Sequence, residues 1–317
     1  MKDKVKKIIK LLISVGILYF IYKKLDIDFS VIFSGVQYPM YIGAAILIFL
    51  TILPYISANR TNLFLKQLGI EEKWYALVKI NWISMFQGII LPSSQGFDLL
   101  RIYNLEKRHP ECRGKAGSVV FIERVIGLVC ICFVSLIATL FLDLPEKNKI
   151  LIIIVLITSA VVLGICIILS KRVQAWISSK SFSNKWINII YGYCQKIWTT
   201  LTYFPYRNVL ISSIIYIAVF QLLTILSVFM IFRAYGVVMP FYIHMSLYPI
   251  ISIISMVPIT ISGFGVREGM FVYYYSFFGV APEIAVSVSL VNYLVSAIVP
   301  SLIGALLYGI DTIKTKK

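Results

Sequence analysis

The sequence predicts an all-α polytopic membrane protein, with about six spanning helices and two broken re-entrant helical hairpins arranged as an inverted repeat. Three observations predict it. Of 317 residues, 59% are hydrophobic and 14% charged, whereas soluble chains run at about 45–50% apolar and roughly 25% charged. One soluble core of this length could not bury so many Ile, Leu and Phe. Apolar runs recur at the length that crosses a bilayer, about 20 residues with roughly 17 to 25 tolerated. Finally, 30 Lys and Arg stand against 14 Asp and Glu, and they collect between the apolar runs, where they report topology first. A net charge of +16 in a soluble protein would point to nucleic acid; in a membrane protein no nucleic-acid partner is expected.

The apolar runs fall at 8–22, 38–58, 116–142, 150–170, 209–232 and 284–308. The first is short, with Lys10 able to snorkel. Lysines precede it and no small-residue cleavage site follows, so it reads as a retained span rather than a signal peptide. Segments 75–103 and 241–278 are long enough for hairpins, but Pro, Ser and Gly interrupt each near its middle. In both, an apolar helix meets a proline (Pro92, Pro258) and a Gly-Phe pair follows (Gly96-Phe97, Gly263-Phe264). An arginine then stands nine residues after the proline (Arg101, Arg267). Broken segments at matching places in two halves point to a binding site at an inverted-repeat interface. The chain thus divides into an N-terminal span and loop (1–37), a first half (38–170) with hairpin 75–103, a linker (171–207), and a second half (208–317) with hairpin 241–278.

Charge placement sets the orientation. With the N-terminus in the cytoplasm and the hairpins entering from opposite faces, 22 Lys and Arg fall inside and 5 outside, as the positive-inside rule requires. Both termini are therefore expected in the cytoplasm, in a multi-pass cytoplasmic-membrane protein. The linker 171–207 carries six basic residues and no acidic one, and Trp186, Ile190, Tyr193, Ile197 and Leu201 recur near helical spacing. That pattern fits an amphipathic interfacial helix on an anionic leaflet.

Metal and redox chemistry are not expected. The five cysteines show no CxxC spacing, and His109 and His244 are the only histidines. No hydrolase, zincin or P-loop motif is present, and Asp26-Ile27-Asp28 falls in a short outside loop. The chain is expected to need no cofactor and to be no enzyme.

Charges inside a bilayer default to functional roles because each needs a partner or a wet cavity. Here they are Asp98, Arg101, Glu123, Arg124, Arg267 and Glu268, with Lys79 and His244 behind them. Asp98 and Arg101, three apart, share a helix face and form either a salt bridge or part of a site. Arg267 opens a half-helix just after Gly263 and Gly265; its guanidinium and free backbone N–H groups together make an anion site unless Glu268 neutralises it. Gly96 and Arg101 make the matching element in the other hairpin. Glu123 and Arg124 point about 100° apart on their helix, so one of them is expected to face the hairpin charges. His244 reads as a packing residue, Lys79 as snorkelling, and Tyr273, Tyr274 and Tyr275 as an interface belt.

These motifs resemble a known family. Asn59-Arg60 with Leu63, Leu65, Leu68 and Gly69, then Pro92 and Gly96 to Tyr103, then Glu123-Arg124 to Leu128, then Gly263-Phe264-Gly265-Val266-Arg267-Glu268 look like the lysylphosphatidylglycerol synthase membrane-region family, or flippase-like domain proteins. The resemblance runs from Asn59 to about Gly309, and Gly-x-Gly-Val-Arg-Glu is its most specific element. The family often has a second Gly where this chain has Phe97, and Leu where it has Phe264, which reshapes the site. It implies a domain that moves lipids across the bilayer, and it adds Arg60 to the substrate-binding set. No soluble aminoacyl-transferase half follows the last span, so synthesis of aminoacyl lipid is not expected. The function expected is translocation of an anionic phospholipid or polyprenyl-phosphate-linked lipid. The alternatives are a non-transporting subunit that scaffolds an envelope-biosynthesis glycosyl or aminoacyl transferase, and a secondary transporter of a small anion.

Overall fold

The computed structural model describes residues 30–90, 96–112, 114–141, 185–256, 260 and 263–315, with scattered positions within 151–170. Among these residues the chain is helical and has no strand. Helix α1 (Val31–Ser34) leads into a rod of 28 residues, Pro39–Lys66. The rod consists of α2 (Pro39–Leu47), a π turn (Ile48–Ile52) and α3 (Leu53–Lys66). Pro54 explains the π turn: it has no N–H and its ring crowds the carbonyl four residues back, so the register slips by one. The Leu53 N–H reaches the Ile48 carbonyl instead. The same device recurs before Pro300, between α11 (Pro282–Tyr293) and α12 (Val299–Thr315), where the Val299 N–H donates to the Leu294 carbonyl.

The other helices are α4 (Trp74–Ile90), α5 (Gly96–Arg108), α6 (Lys115–Leu140), α7 (Lys185–Tyr203), α8 (Tyr206–Ala234), α9 (Phe241–Ser255) and α10 (Val266–Ser276). Among the described residues, four helices are long and apolar enough to cross a bilayer: Pro39–Lys66, Lys115–Leu140, Leu210–Ala234 and Pro282–Ile313. They coincide with the runs at 38–58, 116–142, 209–232 and 284–308, and the chain is an integral membrane protein. The run at 8–22 lies outside the described residues, and 150–170 is described only in part. Side chains such as Phe133, Ile211, Ile215, Leu302 and Leu306 are exposed on these helices, a lipid-facing surface by chemistry.

Helices α4 and α5 form an antiparallel pair, as do α9 and α10. In the first, Asn104 Nδ2 donates to Ser84 Oγ and Gln87 Oε1, each at 2.9 Å. In the second, His244 Nδ1 lies 3.0 Å from the Tyr275 hydroxyl, and Tyr248 meets Phe271 edge-on. The breaks themselves, 91–95 with Pro92 and 257–259 with Pro258, lie outside the described residues, as do 261 and 262. The packing is reciprocal: α4 lies against α12 of the second half, and α9 against α6 of the first. Gly304 permits the first contact, since a Cβ there would collide with the Trp82 carbonyl. Lys79 Nζ donates to Asp311 Oδ1 at 2.5 Å and clasps the same pair of helices, so it is paired rather than merely snorkelling.

Two apolar clusters result. One gathers around α9 and α10, with Phe232, Leu247, Ile251, Phe271 and Tyr275. The other joins α3, α4, α5 and α6 to the end of α7 through Phe64, Leu65, Leu77, Leu105 and Leu201. The tyrosine belt is corrected in part: Tyr273 is exposed, but Tyr274 and Tyr275 are buried. Tyr275 packs between His244 of α9 and Phe232 of α8. On α7 the described part of the stripe, Tyr193, Ile197 and Leu201, turns toward protein. Tyr193 donates to Glu106 Oε1 at 2.7 Å, and Ile197 packs against Gly117 while its carbonyl accepts from Ser118.

Candidate functional site

Helices α3, α5 and α6 bring five charged side chains together: one comes from α3, and α5 and α6 each carry two, three residues and one residue apart. Arg60 and Thr61 come from α3, Asp98 and Arg101 from the first turns of α5, and Glu123 and Arg124 from α6. Arg101 Nη1 donates to Glu123 Oε2 at 2.6 Å, and Nη2 donates to the Thr61 hydroxyl. That hydroxyl donates to Glu123 Oε1 at 2.7 Å. Arg60 Nε stands 3.3 Å from the same oxygen, and its guanidinium lies 5.7 Å above the Phe220 ring. Arg124 Nε donates to Asp98 Oδ2 at 2.6 Å.

Asp98 and Arg101 therefore do not pair with each other, and both Glu123 and Arg124 face the hairpin. Two charges on adjacent α6 positions meet two charges three apart on α5, so each pair crosses between helices. The arginines are not equally reachable. The side chain of Arg101 is 4% exposed, Arg60 13% and Arg124 44%. Arg101 is locked among protein oxygens, while Arg60 Nε has no hydrogen-bond partner.

The second hairpin differs. Arg267 donates through Nη2 to Glu268 Oε1 at 2.6 Å and through Nε to the Ser289 hydroxyl at 3.0 Å. Ser289 donates to Glu268 Oε1 at 3.2 Å. The other oxygen, Oε2, accepts the Gly265 N–H at 2.6 Å, so the N3 glutamate satisfies the backbone at the start of α10. Of the two readings left open for Arg267, the geometry matches the second: Glu268 takes the Gly265 N–H and pairs with the guanidinium. Gly263 and Gly265, with φ of 75° and 85°, adopt a backbone that side chains disfavour. Arg267 also lies over the Tyr293 and Phe264 rings, at 4.7 and 5.3 Å.

Both arginine groups border cavities. One of about 290 Å³ is lined by Arg60, Asp98, Arg101, Glu123 and Arg124. Along the rod Pro39–Lys66 and α6 its wall then turns apolar, through Leu53 and Phe49 on one side and Leu128 and Ile131 on the other. A second, about 370 Å³, holds Arg267 with Ser252, Asn292, Tyr293 and Ser301. Arg124, Met85, Phe97, Met256 and Ser296 line both, so the two are neighbours across one wall. Gly96 is buried at the start of α5, below Phe97. Sequence reasoning missed Thr61, Ser289 and Phe220. Thr61 follows Arg60 and sits one turn after Ser57, but a polar residue at that spacing carries no signal until Glu123 is placed beside it.

His244 is buried among Phe229, Phe232 and Tyr275 as a packing residue. Cys130 and Cys132 are free thiols. Among the described residues no group of His, Cys, Asp and Glu is placed to hold a metal ion.

Fold and site define a polytopic helical membrane protein with a buried ionic cluster beside cavities between its helices. The chain belongs to the family described as the lysylphosphatidylglycerol synthase TM region, whose model matches residues 7–304. It is similar to a UPF0104 membrane protein of Methanothermobacter thermautotrophicus, 28% identical over 90 residues, spanning 28% of this chain and 27% of that one. It is also similar to a UPF0104 membrane protein of Methanocaldococcus jannaschii, 24% identical over 280 residues, which cover 84% of this chain and 83% of the relative. No solved structure matches the chain.

Proposed function

We propose that this protein is a lipid translocase that moves an anionic, phosphate-bearing lipid across the cytoplasmic membrane without chemically altering it. The observation that carries the reading is Arg60: a cation whose Nε makes only a 3.3 Å ion pair to a carboxylate already held by Arg101, at the polar end of a cavity whose other end is Phe49, Leu53, Leu128 and Ile131. A phosphate beside Arg60 and Arg124 and an acyl chain along those apolar residues would satisfy both ends at once. A small soluble anion would leave the apolar end empty. Family membership supports a lipid-related role. The reciprocal packing of α4 on α12 and α9 on α6 supports two inverted halves, each with a re-entrant hairpin, and the 22-to-5 distribution of basic residues supports cytoplasmic termini.

The test is reconstitution of the full chain in liposomes with fluorescent phosphatidylglycerol, read by quenching of the outer leaflet. Arg60→Gln should lower the rate at least about tenfold, as expected for loss of a charged contact, with the unfolding temperature little changed. Equal rates for parent and variant would sink the assignment.

A further inference from the structure

We infer that the cavity beside Arg60 is a bending joint: two packed bodies, one around each hairpin, meet there and rotate about the π turns before Pro54 and Pro300. The joint does not depend on what the cavity carries; that its bending moves the cargo rests on the translocase reading.

The two apolar clusters divide the molecule across its helices rather than along them. In the rod Pro39–Lys66, Ala45 belongs to the cluster around α9 and α10, while Ala58 and Phe64 belong to the one around α4 and α5. The rod of α11 and α12 divides in the same way. Val288 and Val295 join the α9–α10 cluster. Beyond Pro300 the chain turns to the other hairpin, with Tyr308 beside Phe86 and Asp311 on Lys79. On α6, Ile126 packs against one cluster and Leu128 against the other, with Gly127 between them. Helix α8 passes from Val209 in one to Val228 in the other. All four changeovers fall at one place, since Pro54, Gly127, Phe220 and Pro300 line the same cavity.

At the two rods this crossing is also weak along the backbone. The Leu53 and Val299 N–H groups donate five residues back, to Ile48 and Leu294. The next residues, Pro54 and Pro300, have no N–H to give. The Phe49 and Val295 carbonyls thereby lose their helical donors, so each rod carries one backbone bond fewer at the junction than along its length. Helices bend at such prolines and π turns, and a few such residues absorb the rotation when packed bodies move. On α6 no side chain resists, because a Cβ at Gly127 would meet nothing within 4 Å. Arg60, Arg101 and Glu123 all lie on the α4–α5 side of the joint and travel together. What parts is the wall common to both cavities, where Met85 and Phe97 of one body face Met256 of the other.

The experiment joins hydrogen exchange on the full chain in detergent to the liposome assay with fluorescent phosphatidylglycerol. Amides at 50–53 and 296–299 should exchange at least about tenfold faster than those one or two turns away on the same rods. The double variant Pro54→Ala, Pro300→Ala restores both N–H groups with a strong helix former. Exchange at the two sites should slow to that of their neighbours, and lipid movement should fall at least about fivefold, as expected when a conformational step sets the rate. Pro54→Gly with Pro300→Gly removes the same rings and keeps the rods pliant, so it should move lipid near the parental rate. Exchange uniform along the rods, an alanine variant as fast as the parent in moving lipid, or a glycine variant as slow as the alanine one would overturn the inference. If the exchange pattern and its loss in the alanine variant are found but the parent moves no lipid, the joint stands and the translocase reading falls. If the parent moves lipid and the alanine variant matches it, the joint falls and translocation stands.

Discussion

The two hairpins share a sequence period, with Pro, Gly-Phe and an arginine nine residues on, yet handle that arginine in opposite ways. In α9–α10 the partner of Arg267 is the next residue, and Glu268 also caps its own helix. The charge is settled within one turn, with help from Ser289 of α11. In α4–α5 the partners come from elsewhere: Glu123 from α6, Thr61 and a competing Arg60 from α3. A local pair can stay intact while its hairpin moves. A pair strung over three helices reports their relative position. The first hairpin is therefore the coupled element and the second the self-contained one.

The largest expected effect breaks that comparison at its centre. Glu123→Gln removes the carboxylate shared by Arg101, Arg60 and Thr61, leaving two cations facing each other in a buried place. Loss of one partner of a buried pair costs about 3–5 kcal/mol, and the unfolding temperature in detergent should drop accordingly. Glu268→Gln should also destabilise, by Arg267 and by the cap, but its amide oxygen can still accept the Gly265 N–H. If Glu268→Gln proves the more damaging, the first hairpin is not the more coupled one.

A smaller effect tests whether packing follows the same division. Gly304→Ala on α12 would drive its methyl into the Trp82 carbonyl of α4, and overpacking of that kind costs about 1–3 kcal/mol. Gly127 of α6 also lines the first cavity, but a Cβ there meets nothing within 4 Å. Gly127→Leu should leave thermal stability nearly unchanged while filling the cavity, so lipid movement stops without unfolding. A destabilised Gly127→Leu, or one that still moves lipid, would show that this space is not the path.

How much of this was legible in the sequence follows from the range of each interaction. Long apolar helices are a local property, and four of the runs match helices to within several residues. The rod that begins at Pro39 outlasts its apolar run because α3 continues to Lys66 with polar residues facing other helices. The π turns before Pro54 and Pro300 were not anticipated, since the slip needs only a proline that the helix survives. Every charged residue proposed for the site lies at or beside a cavity, yet the pairing was misread wherever it crossed helices. Asp98 and Arg101 are near in sequence, but their partners lie 22 to 26 residues away, and nothing local announces that. The neutralisation of Arg267 by Glu268, adjacent in sequence, was one of the two readings that spacing left open.

The smallest effect sharpens the comparison at the hairpin bases. Below α4–α5, outside the spanning helices, Arg108 Nε donates to Glu72 Oε1 at 2.5 Å and His109 Nε2 lies 2.9 Å from the same oxygen. Burial raises the Glu72 carboxyl, but the hydrogen bond and charge of Arg108, joined by His109, outweigh it and hold it below its ordinary 4.5. A carboxyl depressed by folding stabilises the fold at pH above its unfolded value. That stabilisation is lost as pH falls through the lower folded value. Arg108 is half exposed, so the clasp contributes no more than about 1 kcal/mol. Stability should thus decline as pH is lowered below 4.5, and Glu72→Gln should flatten part of that decline. Hydrogen exchange over the same range should quicken at the base of α4–α5 first, while α9–α10, joined by His244, Tyr275 and Phe271, keeps its protection. Equal loosening of both bases would mean that acid acts on the bundle as a whole, and the ionic clasp would then not distinguish the hairpins.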